Sequence, residues 1–138
     1  MASRRVLIVD DEAEIRKTLT DIISAMRYPE ALEIEGVPDG QQGLDAVVRQ
    51  RPDLVLLDLQ MPRMGGLSVL KQIREAEPRL PVIVISATQD NKVSAEALRT
   101  GAVAYLPKPF DPRHVEMLVT TFLDSSKPRP PKPAPGAR

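Results

Sequence analysis

The chain reads as an α/β protein whose parallel sheet is covered by helices on both faces. Two observations lead there. Short apolar runs alternate with longer segments of helical periodicity along the chain, and four of the runs end on a polar group that a buried strand would carry to the surface. Runs of this kind mark strands buried on both sides, and five βα units connected by short right-handed crossovers build a parallel sheet. A length of 138 residues fits one domain with a substantial core.

The elements follow in order. Residues 6–9 (VLIV) form the first buried strand. Ile15, Leu19, Ile22, Ile23 and Met26 then recur at helical spacing over 12–27. Ala31–Val37 alternates Leu32, Ile34 and Gly36 with Glu33 and Glu35, the pattern of an exposed edge strand. Asp39-Gly40 reads as a turn, and Leu44, Val47 and Val48 mark a second helix. Residues 54–57 (LVLL) are the third strand. After a loop with Pro62, Gly65 and Gly66, the residues Leu67, Leu70 and Ile73 give a third helix that closes before Pro78. Residues 81–85 are the fourth strand. A weaker helix over 93–100 ends at Gly101, which suits a C-cap. Residues 102–106 are the fifth strand, and Val115, Leu118, Val119 and Phe122 mark the last helix.

Composition narrows the function class. Apolar residues make up 42% and charged residues 28%, a globular balance. No apolar run approaches the roughly 18–20 residues of a membrane span, and the four-residue run after MASRR is too short for a signal peptide. Cysteine is absent, so no disulfide, thiolate metal site or cysteine nucleophile is available. A cytoplasmic location is the simplest expectation. The 19 basic and 19 acidic residues cancel, but Lys127, Arg129, Lys132 and Arg138 lie in 125–138, which leaves the body, 1–124, acidic. That last segment, SSKPRPPKPAPGAR, has nothing branched or aromatic to bury. It is expected to be a disordered or polyproline-like tail or interdomain linker beyond the domain at 1–124.

The polar groups at the strand ends carry the chemistry. Asp10 and Asp11 follow the first strand, Asp58 the third, Ser86 the fourth and Lys108 the fifth. In open α/β sheets, ligands bind outside the carboxyl ends of the strands. Three carboxylates brought together there repel one another, and a small hard cation relieves them; Mg2+ takes carboxylates, waters and a phosphate in an octahedral shell. The simpler role for Asp10 and Asp11 is to favour the N-terminus of the first helix. Asp58 is the candidate nucleophile, since a carboxylate can take a phosphoryl group as an acyl phosphate. Lys108 and Ser86 would serve its oxygens.

VLIVDDE, LVLLDLQMPRMGG, VIVISA and AYLPKPF resemble, in order and spacing, the motifs of the response-regulator receiver domain, over about 4–124. The resemblance implies a (βα)5 flavodoxin-like fold, a doubly wound parallel five-stranded sheet of order 2-1-3-4-5. It also implies that Asp58 is the phosphoacceptor for a sensor histidine kinase or phosphotransfer protein. Asp11 and Asp58 would ligate Mg2+ (or Mn2+ in its place) directly, Gln60 through its backbone carbonyl and Asp10 through water. Ser86 would be the switch hydroxyl, Lys108 the phosphoryl-binding lysine before a cis proline, and Tyr105 the aromatic switch whose ring turns inward. Gln60 and Thr88 would tune dephosphorylation.

A signalling phosphoacceptor, rather than an enzyme acting on other molecules, is therefore expected. A haloacid-dehalogenase-type phosphatase would also use Asp and Mg2+, but resembles a D-x-D pattern, and Gln60 stands where its second acid belongs. A flavodoxin would carry a phosphate loop where this chain has Asp10-Asp11-Glu12. Many receivers pair through the fourth helix, fifth strand and fifth helix, so the resemblance also implies a phosphorylation-dependent homodimer as one partner arrangement. Direct nucleic-acid binding is not expected from a tail without aromatic residues. The tail reads either as a linker to an effector domain or as the end of a stand-alone receiver, with a PxxP-type ligand at residues 128–131 the weakest reading.

Overall fold

Successive side chains of a strand point to opposite faces, so a run of consecutive apolar residues feeds two cores at once. A computed structural model describes residues 3–62, 64–87 and 91–126. The strands are β1 (Ser3–Val9), β2 (Ala31–Val37), β3 (Leu54–Asp58), β4 (Val82–Ser86) and β5 (Ala104–Pro107). They alternate with α1 (Ala13–Ser24), α2 (Gly40–Arg49), α3 (Gly66–Ala76), α4 (Asn91–Thr100) and α5 (Pro112–Ser126). The five strands form one parallel sheet of order β2-β1-β3-β4-β5.

On one face Leu7, Val9, Val55, Leu57, Val82 and Val84 meet α2, α3 and α4 through Val47, Leu70 and Ala97. On the other, Val6, Ile8, Leu54, Leu56, Ile83 and Ile85 meet α1 and α5 through Leu19, Ile23, Val115 and Val119. Each strand thus sends its odd and even residues to separate clusters. The fully apolar runs occupy the middle of the sheet, and the alternating β2 lies at its edge, paired only with β1.

Several boundaries differ from the sequence expectation. β1 begins at Ser3, because Arg4 is buried by ion pairs to Glu30 at 3.1 Å and Asp53 at 3.3 Å. α1 ends at Ser24, and β5 starts at Ala104 rather than at residue 102. Asp39-Gly40 is a helix start rather than a turn: Asp39 is the N-cap of α2 and accepts from Gln42 N at 2.8 Å. Val48 is 80% exposed, because α2 turns Gly43, Ala46 and Val47 inward. α5 runs through Ser126, so residues 125 and 126 belong to the domain's last helix. The rest of the expected tail, from residue 127 onward, lies outside the described residues.

Gly101 has φ of +114°, a conformation that favours glycine. Its N–H bonds to Leu98 O at 3.2 Å and that of Ala102 to Ala97 O at 3.0 Å, the paired bonds of a Schellman cap that turns the chain from α4 toward β5.

Candidate functional site

β1, β3, β4 and β5 are parallel neighbours, so their carboxyl ends open on the same side. Asp10 N continues the β1–β2 ladder to Val37 O at 3.1 Å, which carries Asp10 to the carboxyl end of the sheet. Asp58 closes β3, opposite Ile85 of β4. Ser86 closes β4, opposite Pro107, and its carbonyl accepts from Lys108 N at 2.9 Å. The Lys108–Pro109 peptide bond is cis.

These ends bring the sequence-predicted Asp10, Asp11, Asp58 and Lys108 together, with Ser86 closing the neighbouring strand. Asp10, Asp58 and Ser86 are buried. Lys108 Nζ lies 3.3 Å from Asp10 Oδ2, 3.5 Å from Asp58 Oδ2 and 3.5 Å from Glu12 Oε1. One carboxylate oxygen from each of Asp10, Asp11, Glu12 and Asp58 lies within 4.8 Å of the others. Glu12 was not among the expected site residues. Its place in VLIVDDE was the available signal, but only the start of α1, where it is the N-cap, turns it toward the cluster.

Neither aspartate caps α1 with its side chain in the expected sense. Asp10 Oδ1 accepts from the N–H of Glu12 itself, at 2.9 Å, and the N-cap makes no side-chain bond. Arg16 closes this corner by donating to Asp10 O at 2.7 Å. Its stem packs over Gly36, where β2 has no side chain.

Asp58 Oδ1 accepts from Gln60 N at 2.9 Å. Among the described residues Asp58 Oδ2 and Asp10 Oδ2 are buried and make no hydrogen bond, and the Lys108 ammonium lies beside both. Burial raises the Asp58 carboxyl and the charges of Asp10 and Asp11 add to it, while the Gln60 N–H and Lys108 oppose them. The balance lifts its pKa from 3.8 to about 6. Burial works against the Lys108 ammonium, but Asp58, Asp10 and Glu12 outweigh it and hold its pKa above the ordinary value. Buried carboxylate oxygens without hydrogen bonds, beside two exposed carboxylates, form an all-oxygen donor set that fits a hard divalent cation.

The remaining expected residues lie around this pocket. Gln60 is exposed, and its side-chain oxygen accepts from Ala87 N at 3.0 Å. The Tyr105 ring packs partly buried against the α2–α3–α4 side, and its hydroxyl reaches Ser86 O at 3.4 Å. Thr88 lies outside the described residues.

A comparison with known families matches residues 6–120 to the response regulator receiver domain. The chain belongs to that family. Curated relatives agree. Response regulator MprA of Mycolicibacterium vanbaalenii is 39% identical over 106 residues, covering 77% of this chain and 44% of MprA. Regulatory protein AtoC of Escherichia coli is 36% identical over 122 residues, covering 88% of this chain and 26% of AtoC. The chain thus spans less than half the length of either. Among solved structures, the receiver domain of NtrX from Brucella abortus superposes with a TM-score of 0.80 at 30% identity, over 87% of this chain and 98% of that one. The Vibrio cholerae chemotaxis protein CheY4 gives 0.79 at 26% identity, over 88% of this chain and 99% of its own. This receiver domain is a component of two-component signalling, and the sheet order implied by the sequence motifs is the one observed.

Proposed function

We propose that this receiver domain is a phosphoacceptor that takes a phosphoryl group on Asp58 from a sensor histidine kinase or phosphotransfer protein. One observation carries the reading: a buried carboxylate, Asp58, has one oxygen without a hydrogen bond, facing an ammonium and a cluster of acids at the open end of the sheet. An Asp58 oxygen attacks phosphorus, the P–N bond to the donor histidine breaks, and its electron pair returns to the imidazole, which takes up a proton. An acyl phosphate remains on Asp58. Lys108 swings its ion pairing from Asp10 and Asp58 to the arriving phosphoryl oxygens, and the Ser86 hydroxyl donates to another. Asp10, Asp11, Glu12 and Asp58, with the Gln60 backbone carbonyl, would hold Mg2+, or Mn2+ in its place. When bound, that ion supplies charge neutralisation on the phosphoryl oxygens. Water attack on the acyl phosphate ends the signal, with Gln60 and Thr88 setting its rate.

The partner surface follows from exposed apolar groups. Among the described residues the large exposed apolar side chains are Val48 on α2 and, on neighbouring elements, Leu98 on α4, Val103 before β5 and Met117 on α5. These elements form the face through which phosphorylation would control a second copy or an effector. No helix among the described residues is long and apolar enough to cross a membrane, and we place the protein's work in the cytoplasm, where its kinase would present phosphohistidine.

Incubation with Mg2+ and acetyl phosphate should add one base-labile phosphate, read by intact mass. Asp58→Asn should abolish it, because an amide is a poor nucleophile. Undiminished labelling of that variant would remove Asp58 from the mechanism.

A further inference from the structure

The hydrogen-bond ladder between β3 and β4 stops one rung early. It runs from Val55 N to Pro81 O at 3.0 Å and reaches Leu59 N to Ile85 O at 2.9 Å. The even spacing of a parallel pair would carry the next bond from Ala87 N to Leu59 O. That carbonyl is taken instead by Gly66 N, at 3.3 Å, where α3 begins. Ala87 N–H, the first main-chain donor past Ser86, is left to the side chain of Gln60, whose Oε1 accepts it at 3.0 Å. Gln60 N meanwhile donates to Asp58 Oδ1 at 2.9 Å. One residue therefore bonds both the acceptor carboxylate at the end of β3 and the first main-chain donor past the end of the neighbouring β4.

A main-chain N–H at the rim of an anion site serves an oxyanion as readily as an amide oxygen. We propose that Gln60 is a self-ligand: its carboxamide oxygen holds the Ala87 N–H while Asp58 is free, and an oxygen of the phosphoryl group displaces it. This rests on the reading of Asp58 as phosphoacceptor. Gln60 is then a positioning residue that competes with the phosphoryl group for one donor. Its release also uncouples the loop after β3 from the chain leading into α4. The bond is specific to a side chain with a carbonyl at that reach; a shorter or apolar residue leaves the donor open.

The test uses beryllofluoride, which stands in for the phosphoryl group, with Mg2+ and the whole chain. Gln60→Ala and Gln60→Met should each bind it about two- to fivefold more tightly than the wild type, the scale of one exchanged hydrogen bond. Amide exchange of Ala87 should be faster in both variants than in the wild type before beryllofluoride is added, and equally slow in all three afterwards. Equal affinities across the three, or an Ala87 amide indifferent to Gln60, would overturn the self-ligand. Wild-type behaviour of Gln60→Met alone would do the same, since bulk and not the bond would then matter. No binding to the wild type would overturn the phosphoacceptor reading itself, and the self-ligand with it.

Discussion

At the scale of single residues, the pocket sets four carboxylates against one ammonium, and Lys108 cannot neutralise them all. Removing one charge should relieve the metal-free protein. Asp10→Asn is expected to melt higher without Mg2+, by on the order of 1 kcal/mol, and to gain less from added Mg2+ than the wild type; equal shifts in the two proteins would count against the cluster. The raised Asp58 carboxyl gives a second expectation. Its folded pKa of about 6 lies above the unfolded value, so between these the folded state binds more protons. Its contribution is therefore most favourable below about pH 4 and is lost as pH rises toward 6. Melts of metal-free protein should show a component that declines over that window and disappears in Asp58→Asn. Asp10, Asp11, Asp58, Ser86 and Lys108 were legible in the sequence because each follows an apolar run, and a strand end fixes where the next side chain emerges. Glu12 and the Gln60–Ala87 bond were not legible, since they depend on where α1 starts and where a ladder stops.

Among the elements, helical periodicity located all five helices but misjudged the inward side of α2. Its buried stripe contains Gly40, Gly43 and Ala46, small residues that let the helix lie close to β1 and to Val69 but carry little hydropathy signal. Val48, a more apolar residue that helps to mark the helix in the sequence, is exposed. The start of α3 shows the same economy of space. A β-carbon on Gly66 would overlap Leu59 Cα and the Asp58 carbonyl oxygen, both backbone atoms that cannot turn aside. Gly66→Ala should therefore displace α3 from the end of β3, destabilise the fold by about 1–3 kcal/mol, and slow phosphorylation of Asp58. Denaturant unfolding and acetyl-phosphate labelling would check both effects. A fully stable variant would mean that α3 can shift at little cost.

For the whole molecule, the order of the strands was beyond periodicity, because β1, β3 and β4 are equally apolar and nothing in their residues says which neighbours which. The motif set carried that information, and the two-sided core is consistent with it. The exposed Leu98, Val103 and Met117 give the assembled domain a further expectation. With Mg2+ and beryllofluoride the protein should sediment as a dimer, and Met117→Glu should return it to a monomer while leaving Asp58 labelling intact. A monomer at high concentration in both states would direct the signal to a different partner.

The unequal anchoring of the elements around the pocket determines where the domain can yield. β3, like β4, is hydrogen-bonded on both edges with every side chain buried, so Asp58 is mounted on the braced centre of the sheet. Across from it, α4 has Ala97 as its single fully buried side chain among the described residues, with Val93 only partly covered. Under the same load, a well-braced beam holds its position and a lightly pinned one moves. A push arriving at the mouth of the pocket is thus expected to be taken up at α4, with the sheet as the fixed frame against which that helix is deflected.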